Sequence, residues 1–84
     1  MDRHERLRQT ILGGRSDANI RFADLRALLV HLGFSERVRG SHHIFAKEGI
    51  VEIINVQSHG GQVKPYQVGQ VRNIILKYKL GGED

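Results

Sequence analysis

Two apolar stripes of helical period enclose a segment of strand character, and this change of period most constrains the fold. Phe22, Leu25, Leu28, Leu29 and Leu32 recur at a spacing near 3.6, as do Val68, Val71, Ile75 and Tyr78, with Ile74 beside them. Between them the chain changes to short β-branched and aromatic runs. Glu36–Arg39 reads as a first, edge strand, His42–Ala46 as a second and Ile50–Val56 as a third. Gly40-Ser41 and Lys47-Glu48-Gly49 are the turns. Alternation in the third run suggests one buried face and partial cover on the other. Each helix must bury its stripe. An antiparallel meander can bury one face and leave the other in water. The expected fold class is therefore α+β, a two-layer sandwich in the order α-β-β-β-α, with both helices on one sheet face and the other face free for a ligand.

The ends of the helices are marked. Asp24 lies in the first turn of the first stripe, where negative charge suits the helix dipole. Gly33 follows its last turn, with Phe34 placed to pack back. Pro65 suits the first position of the closing helix. Gly81-Gly82 is expected to end that helix, with Glu83-Asp84 frayed. Residues 1–21 form an N-terminal extension. It has a weak helical stripe (Leu7, Ile11), stops at Gly13-Gly14, and is expected to pack loosely, with Arg3, Arg6 and Arg8 on a solvated face. The division is thus an extension over 1–21, a domain over 22–80 and a disordered tail over 81–84.

A chain of 84 residues supports one small core. It has no cysteine, which excludes disulfides and thiolate zinc sites and fits a cytoplasmic location. No apolar run approaches the ~20 residues of a membrane span, and no leader pattern is evident. Lys and Arg number 13 against 9 acidic residues, a net +4 that favours a phosphate-bearing partner.

Candidate chemistry centres on Gly40-Ser41-His42-His43. Histidine both takes and gives a proton near neutral pH. Neighbours in a strand point to opposite faces, so only one of the pair meets a ligand on the free face. RNA carries its own nucleophile, the 2′-hydroxyl. Cleavage needs a base, an acid for the leaving oxygen and cations for the developing charge. Arg37, Arg39 and Lys47 flank the histidines, and His59 and Lys64 lie in the following loop, as candidate phosphate contacts. No metal site is expected, because adjacent histidines diverge and no carboxylate stands at a useful spacing. Ser41 lacks a recognisable triad, and Gly60-Gly61 lacks the Lys-Ser/Thr of a P-loop. Phe45 and Tyr66 are too few for a stacking platform.

The stretch Leu32-Gly33-Phe34 and then Val38-Arg39-Gly40-Ser41-His42-His43-Ile44-Phe45 resembles the hallmark of HicA toxins of bacterial type II toxin–antitoxin pairs. The segment from Gly69 to Leu76 resembles that family's closing helix, and the likeness covers about residues 22 to 80. It implies a double-stranded-RNA-binding-domain-like fold and a metal-independent endoribonuclease that cleaves mRNA without a cofactor. It also implies inhibition by a HicB-type antitoxin. The family's catalytic histidine maps to His42, with His43 the close alternative; Gly40 keeps the backbone near substrate and Ser41 sets the turn. The general acid is open between His43, His59 and water. The chain departs from the family in its extension, in the loop Ser58–Pro65 and in Gln70, which stands where threonine is usual. The competing expectations are a non-catalytic double-stranded-RNA-binding module and a partner protein whose basic face only docks an acidic chain.

Overall fold

The computed structural model of the chain describes residues 2–82. Its elements are α1 (Arg3–Gly13), a short 3-10 turn (Asp17–Asn19), α2 (Phe22–His31), β1 (Ser35–Arg39), β2 (His42–Ala46), β3 (Ile54–Val56) and α3 (Pro65–Tyr78). The three strands form one antiparallel sheet in the order β1-β2-β3. The α+β class and the α-β-β-β-α order are those the periodicity predicts.

The register fixes the two faces of the sheet. Arg39 pairs with His42, Arg37 with Ile44, Val38 with His43 and Glu36 with Phe45; across the other ladder, Ile44 pairs with Asn55 and Phe45 with Ile54. Phe45, Ile54 and Val56 are buried with Leu25, Leu28 and Leu29 of α2 and Val68, Val71, Ile74 and Ile75 of α3. That side carries the helices. Arg37, Arg39, His42, Ile44 and Asn55 point the other way, because directly paired residues share a face.

Local chemistry sets the helix ends. After α2, the N–H of Gly33 donates to Val30 and that of Phe34 to Leu29, with Gly33 at φ 100°. This is a Schellman closure, which turns the buried Phe34 onto the core. Pro65 occupies the first turn of α3. That helix stops at Tyr78, before Gly81-Gly82. Lys79 takes the left-handed position at φ 54°, and Leu80 N–H closes onto Ile75.

Two further expectations need correction. The third strand is shorter than Ile50–Val56, because residues 50–53 leave the ladder. Ile50 N–H turns back to Lys47, and Glu52 is drawn to α3 by Lys77 (2.9 Å) and the Tyr78 hydroxyl (2.7 Å). Val51 is consequently 87% exposed and Ile53 is exposed as well. The N-terminal extension does not pack loosely either. Ile11 has no exposed surface, and α1 lies against α2 and α3. Arg8 is not on a solvated face: its Nε donates to the Leu80 carbonyl at 2.9 Å and its guanidinium pairs with Glu5. Arg72 of α3 donates to the Ile11 carbonyl at 3.1 Å and grips Asp17 with both nitrogens, holding the Asp17 carboxyl below its ordinary range. The expected fraying of Glu83-Asp84 lies outside the described residues.

Candidate active site

Gly40 and Ser41 are the two central residues of the hairpin between β1 and β2. Gly40 has φ 60°, and Lys79 is the one non-glycine with positive φ among the described residues, so Ser41 is negative. A left-handed glycine followed by a residue of negative φ is the pattern of a type II′ turn, which matches the twist of paired strands. The turn delivers His42 to the first position of the central strand, directly opposite Arg39.

The adjacent histidines separate completely. His42 is exposed on the open face, on the same side as Arg37 and Arg39. Its Nδ1 lies 3.1 Å from Asn55 Oδ1, and its Nε2 lies 3.4 Å from Gln57 Nε2, which also donates to Ser41 Oγ at 3.0 Å. His43 turns to the helix side, where its side chain is 23% exposed. Its Nδ1 is 2.7 Å from Glu36 Oε2, and its ring meets Phe22 edge-on at 4.7 Å. Arg26 of α2 grips the same Glu36 carboxylate through Nε (2.8 Å) and its terminal nitrogen (2.7 Å). The Arg26 guanidinium first, and His43 after it, hold the Glu36 carboxyl below its ordinary range against the opposing effect of its burial. His43 is thus tied between α2 and β1, whereas His42 presents its ring to solvent.

The remaining candidates fall at different places. Arg37 and Arg39 share the face of His42. Lys47 does not join them: beyond the far end of β2, its ammonium packs on Gly33 at the C-terminus of α2, so closely that a Cβ there would lie 2.6 Å from Nζ. The negative end of the helix dipole favours a cation at that point. His59 and Gln62 exchange backbone hydrogen bonds across Gly60 (φ 62°) and Gly61 (φ 86°). This tight hairpin is pinned to the start of α2, since Phe22 N–H donates to Gly61 and Val63 N–H to Ile20. His59 is exposed there, and Lys64 is exposed at the N-cap of α3. Asn55 and Gln57 were not foreseen from the sequence. Their signal is the strand register, which becomes legible only once Ile44 is paired with Asn55.

The architecture and its open, basic face define a double-stranded-RNA-binding-domain-like α+β sandwich that carries a histidine on the uncovered side of its sheet. The chain belongs to the HicA toxin family: the family model described as the HicA toxin of bacterial toxin–antitoxin matches residues 22–78, from the start of α2 to the end of α3. It is therefore the toxin of a toxin–antitoxin system, with an antitoxin as its partner. No curated protein and no solved structure matches the chain. Among the described residues, no helix is long and apolar enough to cross a membrane.

Proposed function

We propose that this toxin is an endoribonuclease that cleaves mRNA in the cytoplasm, with His42 as general base, and that a HicB-type antitoxin holds it inactive. The observation that carries the reading is the separation of the two histidines. His42 is exposed on the basic face opposite Arg39, and His43 is engaged by Glu36 and Phe22 on the helix side.

The chemistry follows from RNA itself. The 2′-hydroxyl loses its proton to His42 Nε2 as its oxygen bonds to phosphorus. The bond from phosphorus to the 5′-oxygen breaks, and that oxygen leaves with a proton. One strand end becomes a 2′,3′-cyclic phosphate and the other a 5′-hydroxyl. Arg39, directly opposite His42, and Arg37, opposite Ile44, lie on the same face, where they meet the charge on the phosphoryl oxygens. Because the nucleophile is internal to the substrate, this route needs no metal-activated water. His59 and Lys64 extend the phosphate contacts. The proton on the leaving oxygen comes from His59 or water, since His43 faces the helix side of the sheet, against Phe22 and away from His42.

The test is cleavage of defined RNA in EDTA by the wild type, His42→Ala and His43→Ala, alongside growth on expression. The reading requires cleavage and growth arrest by the wild type and loss of both in His42→Ala. Salt-dependent binding of duplex RNA without cleavage, unchanged by either substitution, would establish the non-catalytic module instead.

A further inference from the structure

We propose that Asn55 is a positioning residue that selects the tautomer of His42, keeping the proton on Nδ1 and the lone pair on the outward Nε2. Asn55 stands opposite Ile44 across the β2–β3 ladder, so its side chain shares the open face with His42. Its Oδ1 lies 3.1 Å from Nδ1. A carboxamide oxygen only accepts, so the ring nitrogen facing it must donate. On the other side of the ring, the amide nitrogen of Gln57 lies 3.4 Å from Nε2. An amide NH2 only donates, so that ring nitrogen must accept. One neutral tautomer therefore satisfies both contacts at once.

Asn55 is itself held in place. Its backbone is in the β2–β3 ladder, and its carbonyl accepts Nε2 of Gln67 at 3.0 Å from α3. Gln67 is 5% exposed, and its Oε1 has no partner among the described residues. A buried side chain of the closing helix is thus committed to the strand position that bears Asn55, at the cost of a buried unpaired acceptor. On the ribonuclease reading above, the consequence is kinetic. A base must show its lone pair to the 2′-hydroxyl, which takes the place of the Gln57 amide at Nε2, and the opposite tautomer would present a proton there.

The experiment uses the full chain labelled with 15N-histidine. Long-range 1H–15N correlations of His42 are recorded above its titration in the wild type, Asn55→Val and Asn55→Asp. Valine suits an exposed strand position, and circular dichroism checks the fold. The wild type is expected to carry its proton on Nδ1, and Asn55→Val to shift toward protonated Nε2. In RNA cleavage, kcat of Asn55→Val is expected to fall on the order of tenfold at unchanged KM, less than the roughly 10²–10⁴ that a general base contributes. Asn55→Asp restores the acceptor, and its negative charge moves the acid limb of the kcat profile to higher pH. A wild-type ring protonated on Nε2, or ring shifts unchanged in Asn55→Val, would overturn the proposal. A wild type with the Nδ1 proton but no cleavage would confirm the tautomer assignment and sink the ribonuclease reading instead.

Discussion

His43 and Glu36 meet on the helix side of the sheet, Nδ1 to Oε2 at 2.7 Å, one strand apart and diagonal in register. The contact commits one of two adjacent histidines to packing and leaves the other exposed on the open face. His42→Ala is expected to lower cleavage by about 10²–10⁴-fold with little change in melting temperature, since the ring is exposed. His43→Ala is expected to lower the melting temperature, because Glu36 and Phe22 lose a partner, while the folded protein still cleaves. Cleavage rates read beside thermal melts separate the two.

Arg37 and Arg39 flank His42 on the open face. Replacing each with Gln should weaken RNA binding across sequences and flatten its salt dependence. Each lost phosphate contact is expected to reduce the slope of log K against log salt by roughly 0.7 for single-stranded RNA. Lys47→Gln serves as the comparison. Its ammonium packs on Gly33 beyond the far end of β2, so the slope should stay near that of the wild type. Binding isotherms at several salt concentrations give the answer.

Ile11 lies outside the family-matched span and yet is wholly buried. Ile11→Ala should cost about 2–5 kcal/mol, the range for emptying a core aliphatic site. Arg72→Met should also lower stability, because it frees the Ile11 carbonyl and Asp17 together. Urea unfolding measures both. An unchanged midpoint for Ile11→Ala would mean that α1 contributes nothing to the core.

Lys79 occupies a left-handed position that glycine fills without strain. Lys79→Gly is expected to stabilise the chain by about 1 kcal/mol, the cost of a non-glycine residue in that conformation. The gain should appear as a higher denaturant midpoint with an unchanged slope.

Glu52 accepts from Lys77 and then from the Tyr78 hydroxyl, which together lower its pKa from 4.5 to about 2. A carboxyl lowered on folding stabilises the native state above its unfolded pKa, and that contribution is lost as pH falls through the folded value. The Glu52 contribution is therefore full above about pH 4.5 and disappears toward pH 2. Glu36 and Asp17 are lowered too and act in the same sense. Glu52→Gln should be less stable than wild type at pH 7, and the two should converge near pH 2 in a urea titration across that range.

The family-matched elements were legible because each is decided locally. Phe22 to Leu32 and Val68 to Tyr78 carry helical stripes, Pro65 and Gly33 mark ends, and Gly40-Ser41 carries a hairpin. Errors arose where distant side chains compete with local propensity. The β-branched run at Val51 and Ile53 reads as strand, but Tyr78 and Lys77 pull Glu52 off the ladder. The polar sequence of α1 reads as loosely held, but it is fastened by the burial of its own Ile11 and by Arg72, 61 residues further along the chain. Gly81-Gly82 reads as a helix stop, but Lys79 adopts the turn first.

The amino-acid order alone places His42 and His43 on opposite faces, because a strand alternates with a period of two. It also determined that a basic α+β sandwich would bear them. Which histidine faces solvent is settled by the packing of the helices on the sheet. That choice follows from Phe45 and Ile54 burying toward the helices, which turns His43 onto Phe22 and Glu36 and leaves His42 beside Asn55. Alternation is a local property of the backbone, whereas the identity of the covered face is set by the apolar surface that α2 and α3 bring from elsewhere in the chain.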